Sequence, residues 1–261
     1  MNVLAAQRHS AIVAEVERSG AVRVSDLVRH LGVSDMTIRR DISNLAERGL
    51  IRRVHGGAVS VSHARDEPGF TAKSTMQRAE KLAIAARAAH LVSPGDTIGI
   101  SAGTTTYELA VTLQHVPDLT VVTNSIPVAQ FLHESPAPGA RVVLTGGVRT
   151  PSDALVGPVA VNALRSLHVD QLFIGAHGID VGPGLTTPNL DEAETNRALV
   201  ASARRVVVLA DHTKLGIIGL SSFLELDKVD ELIADAGLPG RRQAELAALV
   251  DILTIARPLP A

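Results

Sequence analysis

The sequence has no cysteine and no tryptophan, and only one tyrosine and four phenylalanines among 261 residues. Without cysteine it can form no disulfide and no thiolate metal site, and no cofactor is expected. The absence fits a cytoplasmic protein. With aromatics at 2%, a core must be assembled from Ala, Val, Leu and Ile, for which a hydrophobic fraction of 46% suffices. No uncharged apolar run approaches the roughly 18 residues of a membrane span, so no membrane partner is expected. The opening residues M-N-V-L-A-A-Q-R-H lack the apolar stretch of a secretory signal. There is no internal repeat and no low-complexity tract.

Net charge is also small, at −2, but it is unevenly spread. Residues 1–57 hold nine Arg against six Asp/Glu, and the remainder holds 16 Lys/Arg against 21 Asp/Glu. A basic head of +3 on an acidic body of −5 suits a small nucleic-acid module joined to a domain with another task.

The head reads as helix, strand, helix, turn, helix, hairpin. Ile12 and Val16, joined by Val13, make an apolar face on a helix over 5–19, with Gly20 in C-cap position. Val22 and Val24 alternate like a short strand, and Ser25 is placed to cap a helix over 26–31. Gly32 permits a tight turn. Ser34 caps a third helix ending near Arg48, with Gly49 as its C′ residue. Leu50–Val54 and Ala58–Val61 read as strands around a His55-Gly56-Gly57 tip. This predicts a winged helix-turn-helix over residues 1–60.

On the third helix Ile38, Ile42 and Leu45 form the buried stripe. Asp35, Met36, Thr37, Arg39 and Arg40 are left on the opposite surface. Arginine can hold guanine O6 and N7 with two hydrogen bonds, and Thr37 suits a phosphate or a thymine methyl. Ser34, at the helix N-terminus, lies where backbone N–H groups can hold phosphate. Arg52, Arg53, His55 and Gly56 on the hairpin would reach the flanking backbone or the minor groove. The alternative is a packing domain with solvated arginines, in which Arg39 pairs with Asp35 four residues earlier.

Residues 61–77 contain Ser, His, Asp, Pro68 and Gly69 with little periodicity and read as a linker, with the second domain over 78–261. A helix over 77–91 follows. Seven Val/Ile/Leu-rich runs come next: 97–100, 119–123, 141–145, 171–174, 206–210, 231–234 and 251–255. They lack strict alternation, as strands buried on both faces should. Segments such as 104–114, 158–166 and 190–203 suit crossover helices. The expected class is α/β with a mostly parallel sheet, whose ligands sit at the carboxyl ends of the strands.

Polar loops follow four of these runs: Gly103-Thr104-Thr105-Thr106, Thr123-Asn124-Ser125, Gly146-Gly147-Val148-Arg149 and Asp211-His212-Thr213-Lys214. The G-T-T-T run opens a helix and can cradle phosphate with N–H and hydroxyl groups. Gly and Thr also serve as ordinary caps, so the weight rests on the convergence of several loops. Lys214 can pair with a phosphate or a carboxylate, and a surface lysine is the alternative. Glu192 or Glu194 could accept a sugar hydroxyl, although acids at a helix start are favoured in any case.

Residues 22–58, V-R-V-S-D-L-V-R-H-L-G-V-S-D-M-T-I-R-R-D-I-S-N-L-A-E-R-G-L-I-R-R-V-H-G-G-A, resemble the DeoR-type helix-turn-helix signature, with Leu31 where the family often has Phe. The resemblance extends through S-A-G-T-T-T, V-T-N-S, L-T-G-G-V-R, I-G-A-H-G-I-D, G-L-T-T-P-N-L-D-E-A-E and L-A-D-H-T-K-L-G. It implies an effector domain similar in fold to ribose-5-phosphate isomerase. It further implies a transcriptional regulator, not an enzyme: a repressor of sugar catabolism that binds double-stranded operator DNA as a homo-oligomer (dimer or tetramer) and responds to a phosphorylated sugar. The implied effector contacts are Ser101, Gly103, Thr104, Thr105, Thr106, Asn124, Ser125, Gly146, Gly147, Glu192 and Lys214. Two departures stand out. His177 and Gly178 replace the acidic pair of the isomerases, and Ser101 stands where many of the regulators carry Asp. The competing expectations are a sugar-phosphate isomerase or deaminase with a DNA-binding head, and an architectural DNA binder that senses nothing.

Overall fold

The computed structural model describes residues 5–19, 21–48, 50–54, 56–60 and 69–257. Two compact units divide between residues 68 and 69. The first contains α1 (Ala5–Ser19), β1 (Ala21–Arg23), α2 (Val24–Leu31), α3 (Asp35–Glu47), β2 (Ile51–Val54) and β3 (Gly57–Ser60). β3 runs antiparallel to both β1 and β2, which makes a three-stranded wing in the order β1-β3-β2. The core joins Ile12 and Val16 of α1, Leu27 of α2, the Ile38/Ile42/Leu45 stripe of α3, and Ile51 and Ala58 of the wing.

Two local details differ from the sequence reading. Arg23 precedes α2 and offers no side-chain cap, so Ser25 lies inside the first turn instead of capping it. Strand β1 runs directly into that helix and leaves no room for a separate cap. Gly20, Gly49, His55 and Val61, each given a role above, lie outside the described residues. Gly57 is required by close approach: a Cβ there would stand 2.0 Å from the Val22 carbonyl oxygen across the wing.

The second unit opens with α4 (Phe70–Ser74) and α5 (Arg78–Ala89). α4 falls within the stretch read as linker. It forms because Phe70 stacks edge-on against Tyr107, which in turn stacks on Phe131, with ring centroids 5.4 and 5.8 Å apart. Then follow β4 (Thr97–Ile100), α6 (Thr104–Thr112), β5 (Thr120–Thr123), α7 (Ile126–Glu134), β6 (Arg141–Leu144), β7 (Val148–Arg149), β8 (Leu155–Val156), α8 (Pro158–Leu164) and β9 (Val169–Ile174). The chain continues with β10 (Gly178–Asp180), β11 (Gly184–Thr187), α9 (Leu190–Ala201), β12 (Ala203–Ala210), β13 (Ser221–Leu224), β14 (Glu231–Asp235), α10 (Gly240–Ala247) and β15 (Ile252–Ala256).

All seven apolar runs become one parallel sheet in the order β15-β14-β12-β9-β4-β5-β6. Alternate residues supply two cores. Leu172, Ile174, Val206 and Val208 face α8, α9 and α10, whereas Phe173, Val207 and Leu209 face α5, α6 and α7. The antiparallel sheet β10-β11-β13 and the β7-β8 pair were not expected. Their strands are two to four residues long, and β11 is buried at every position, so neither shows a period of two.

The order of connection matters for function. From β4 the chain moves outward through β5 to β6, then returns to the other side of β4 and moves outward through β9, β12, β14 and β15. The direction reverses between β4 and β9. At such a reversal crossovers leave on opposite faces, and the carboxyl ends of the two strands are where open α/β sheets ordinarily bind ligands.

Candidate functional site

Two sites can be built from the residues upward, one on each unit. On the first unit, α3 buries Ile38, Ile42 and Leu45 and presents the rest of its surface. Ser34 caps the helix: its Oγ accepts from the Thr37 N–H at 3.3 Å and lies 2.8 Å from the Thr37 hydroxyl. Ser34 and Thr37 are therefore already partnered with one another. Met36 is 81% exposed. Arg39 donates to Asp35 through Nε and Nη2. Arg40 is exposed and makes no hydrogen bond or ion pair among the described residues. From the wing, Arg53 donates through Nη1 to Ser43 Oγ at 3.0 Å, and that hydroxyl donates to the Arg39 carbonyl. Gly56 makes the wing turn at φ +81°. The side chain of Arg52 and all of His55 lie outside the described residues.

Asp41 was missed by the sequence reading. It lies on the buried stripe of α3, three residues after Ile38. Its carboxylate accepts from Arg8 Nε at 2.5 Å, from Arg8 Nη2 at 3.1 Å and from His9 Nε2 at 2.9 Å. Burial pushes the carboxyl upward, but the hydrogen bonds from Arg8 and His9 outweigh it and hold the group below the usual carboxylate range. The cluster ties α1 to α3. An acid at a core position of an amphipathic helix was the available signal.

On the second unit, the carboxyl ends of the parallel strands gather the predicted loops at one sheet edge. Ser101 follows β4 and is buried, and its Oγ accepts from the Gly175 N–H at 3.1 Å, bridging β4 to β9 across the reversal point. Gly103 precedes α6, whose first residues Thr104, Thr105 and Thr106 are all buried. Thr106 donates to the carbonyls of Ser101 and Gly103, so its hydroxyl braces the loop. Asn124 is committed as well: its Oδ1 accepts from Ala102 N–H at 2.9 Å and its Nδ2 donates to Leu155 O at 3.2 Å. Ser125 caps α7 by accepting from Val128 N–H. Gly146 and Gly147 form the turn between β6 and β7. Most of these polar groups shape the loop cluster and take up one another's hydrogen bonds.

Glu192 is buried at the start of α9 and accepts from Ser152 Oγ at 2.7 Å and Thr187 Oγ1 at 3.0 Å. Glu194 instead pairs with Arg197 at 2.8 Å on the surface. Lys214 lies in a short 3-10 turn after β12, where its N–H donates to the Asp211 carbonyl, and its side chain makes no hydrogen bond or ion pair among the described residues. Gly178 has no room for any side chain, because a Cβ would stand 2.2 Å from the Ile217 carbonyl oxygen. Among the described residues no group of three His, Asp or Glu could hold a metal.

The residue overlooked here is Lys81. It lies on α5 with only 3% of its surface exposed, and its Nζ donates to the Lys73 carbonyl at 2.5 Å. Burial depresses its pKa to about 8; Asp211 and Glu108 favour the charged form, and Lys214 and Lys73 oppose it. Lys73 and Lys214 are thus both within electrostatic reach of Lys81. Nothing local in R-A-E-K-L-A-I-A marks Lys81, since lysine in an alanine-rich helix reads as a solvated position. Only the fold brings Lys73, Lys81 and Lys214 together.

Known proteins similar to this chain agree with both halves of this picture. A DeoR-like helix-turn-helix domain model matches residues 8–64, and a DeoR C terminal sensor domain model matches residues 76–236. The HTH-type transcriptional regulator GlpR of Haloferax volcanii is 39% identical over 258 residues, covering 98% of this chain and 100% of its own length. The lactose phosphotransferase system repressor of Staphylococcus aureus is 36% identical over 88% of this chain and 91% of its own. Among solved structures, ribose 5-phosphate isomerase A of Methanocaldococcus jannaschii overlaps 52% of this chain and 53% of its own, at 19% identity and a TM-score of 0.37.

Proposed function

The chain belongs to the DeoR family of helix-turn-helix transcriptional regulators, and we propose that it represses genes of sugar catabolism under the control of a phosphorylated sugar. The observation that carries the sugar-phosphate half is the reversal of strand order between β4 and β9, with polar loops at the carboxyl ends of the strands. The G-T-T-T loop opens α6 at that point, where helix N–H groups favour an anion. Lys81 and Lys214 supply positive charge to the same region. Phosphate binds there through the N–H groups of 103–105 and the two ammoniums, while Thr106, Asn124 and Ser125 hold the loops in shape. Glu192 faces the sugar with its carboxylate already oriented by Ser152 and Thr187. The repressor works in the cytoplasm, as a homo-oligomer on an operator that repeats with its symmetry.

Coupling to DNA runs through α4, the first element after residues 61–68. Its Lys73 carbonyl takes the Lys81 ammonium, and Gly69 at its start stands beside the Pro151 carbonyl, with an ideal Cβ 3.3 Å away. Pro151 adjoins Ser152, the partner of Glu192. One end of α4 thus holds a group assigned to the effector, and the other stands next to the residue that precedes the partner of Glu192. An arriving phosphate competes with the Lys73 carbonyl for Lys81, so the effector prefers an arrangement in which α4 is released.

Thermal melting of the full-length chain with phosphorylated pentoses and hexoses, and with the same sugars unphosphorylated, tests the reading. A phosphorylated sugar at a hundredfold excess over its Kd should stabilise the sensor unit by about 2.7 kcal/mol. Lys81→Met should remove the effect. Gel shifts on operator DNA then follow release. No stabilisation by any phosphosugar, or binding unchanged in Lys81→Met, would overturn the assignment.

A further inference from the structure

The adjacent arginines of α3 are not equivalent. Arg40 has no partner among the described residues, whereas Arg39 is held by Asp35 one turn earlier, both side chains being about half exposed. The bond from Nη2 measures 3.3 Å, and Nε donates to the other carboxylate oxygen. A guanidinium can offer two parallel N–H pairs, one along Nε–Nη2 and one along Nη1–Nη2. Asp35 occupies the first. The second keeps the two-donor geometry that matches guanine O6 and N7.

An acid on this surface opposes DNA affinity. Asp35 sits in the first turn of α3, where the helix N-terminus would otherwise attract phosphate, and its charge has the same sign as the duplex backbone. The stability gained from an exposed pair of this kind is small. A group that repels DNA in general, while fixing one DNA-reading side chain, acts on the difference between sequences.

We propose that Asp35 is a specificity-determining residue of the DNA interface, holding the Arg39 guanidinium by its Nε–Nη2 edge so that the Nη1–Nη2 edge reads a guanine. The inference rests on the reading of α3 as the helix that enters the major groove. Asp35 also limits the base beside that guanine, because only a donor edge, cytosine N4 or adenine N6, can lie against a carboxylate. Arg40 is then free to add affinity, and Arg39 supplies discrimination.

The test uses the full-length protein and a randomised duplex pool, from which wild type selects its preferred sequence. Affinities of wild type, Asp35→Ala, Asp35→Glu, Arg39→Ala and Arg40→Ala are then measured. The duplexes are the selected one, copies with each guanine replaced in turn by adenine, and an unrelated duplex. In wild type one replacement should weaken binding by about tenfold or more. In Asp35→Ala that penalty should shrink to about twofold, while affinity for the unrelated duplex rises because a like charge is gone. Arg39→Ala should lose the same guanine preference. Asp35→Glu should retain it, since Glu four residues before an arginine also reaches it. A merely structural role would weaken all duplexes alike and leave the guanine penalty intact, and that result overturns the proposal even with DNA binding by α3 preserved. If wild type enriches no sequence and neither arginine variant changes binding, the assignment of α3 falls and this proposal with it.

Discussion

The two units place their chemistry on opposite sides of the surface. In the helix-turn-helix unit the residues proposed to meet DNA are exposed: Met36, Arg39, Arg40 and Arg53 all stand in solvent on α3 and the wing. Its part-buried charge cluster, Arg8–His9–Asp41, works inward to hold α1 against α3. In the sensor unit the polar residues are buried, and Thr106, Asn124, Ser125 and Glu192 are already bonded to their neighbours. The difference follows from the partners. A duplex is a rigid, highly charged surface read by side chains that reach out, and affinity for it is largely electrostatic. A small phosphosugar must be enclosed, and enclosure demands that the walls satisfy their own polar groups before the ligand arrives.

That contrast is broken most severely from within the head. Its core is a single cluster centred on Ile38, Ile42 and Leu45, whereas the sensor sheet has a core on each face. Leu45→Ala should remove about 2–5 kcal/mol, enough to unfold a small unit. The expected outcome is loss of DNA binding with effector-induced stabilisation of the sensor unit unchanged, checked by calorimetry and gel shift on the full chain. Simultaneous loss of both would show that the units do not fold independently. The next effect down is Arg40→Ala, which removes an arginine with no competing partner among the described residues. It should weaken operator binding by about ten- to a hundredfold. Filter binding at fixed salt measures it, and wild-type affinity in this variant would remove Arg40 from the interface.

The same contrast explains what could be read from the sequence. The stripe at 38, 42 and 45, the Ser34 cap, the Gly32 turn and the wing are local, with every signal within a few residues of its cause. The seven sheet strands were legible because runs buried on both faces need no partner to be recognised. The order of those strands was not legible, and it is the order that brings the Ser101 loop and Gly175 together. Lys81 escaped notice for that reason. Its surroundings combine the nearby Lys73 carbonyl of α4 with Glu108 on the G-T-T-T helix and Asp211 and Lys214 after β12, which are distant in sequence. Asn124 and Thr106 were recognised as polar groups beside a site, but which way their hydrogen bonds run is a property of the assembled loops.

A smaller effect separates the units by pH. Lys81 titrates at about 8 because burial disfavours its ammonium, with Lys214 and Lys73 adding to the shift and Asp211 and Glu108 opposing it. Below that value the ammonium is present and can meet a phosphate. Above it the amine is neutral, and binding must be accompanied by proton uptake. Affinity for a phosphosugar should therefore be level below pH 8 and fall above it, by at most about tenfold per unit. The unfolded chain keeps this proton up to the ordinary lysine value of 10.5, so the same group makes folding stability rise with pH across that window. Calorimetric titration at several pH values in buffers of different ionisation enthalpy tests this. A flat profile, or one unchanged in Lys81→Arg, would separate Lys81 from the effector.

The smallest effect belongs to Arg53, and it sharpens the comparison because it should respond to salt and not to pH. Arg53 stands on β2, exposed, with Nη1 held by Ser43 Oγ on α3. It is therefore anchored to α3 by one nitrogen, an arrangement that suits a side chain meeting the phosphate backbone. Arg53→Ala should weaken binding by about two- to fivefold at moderate salt, equally for operator and unrelated duplexes, and reduce the slope of log affinity against log salt by about 0.9. An effect confined to one sequence would move Arg53 from positioning to reading. A buried lysine in the sensor then answers to proton concentration and an exposed arginine in the head to ionic strength, because one has lost its water before the ligand binds and the other gives up its counterions only on contact.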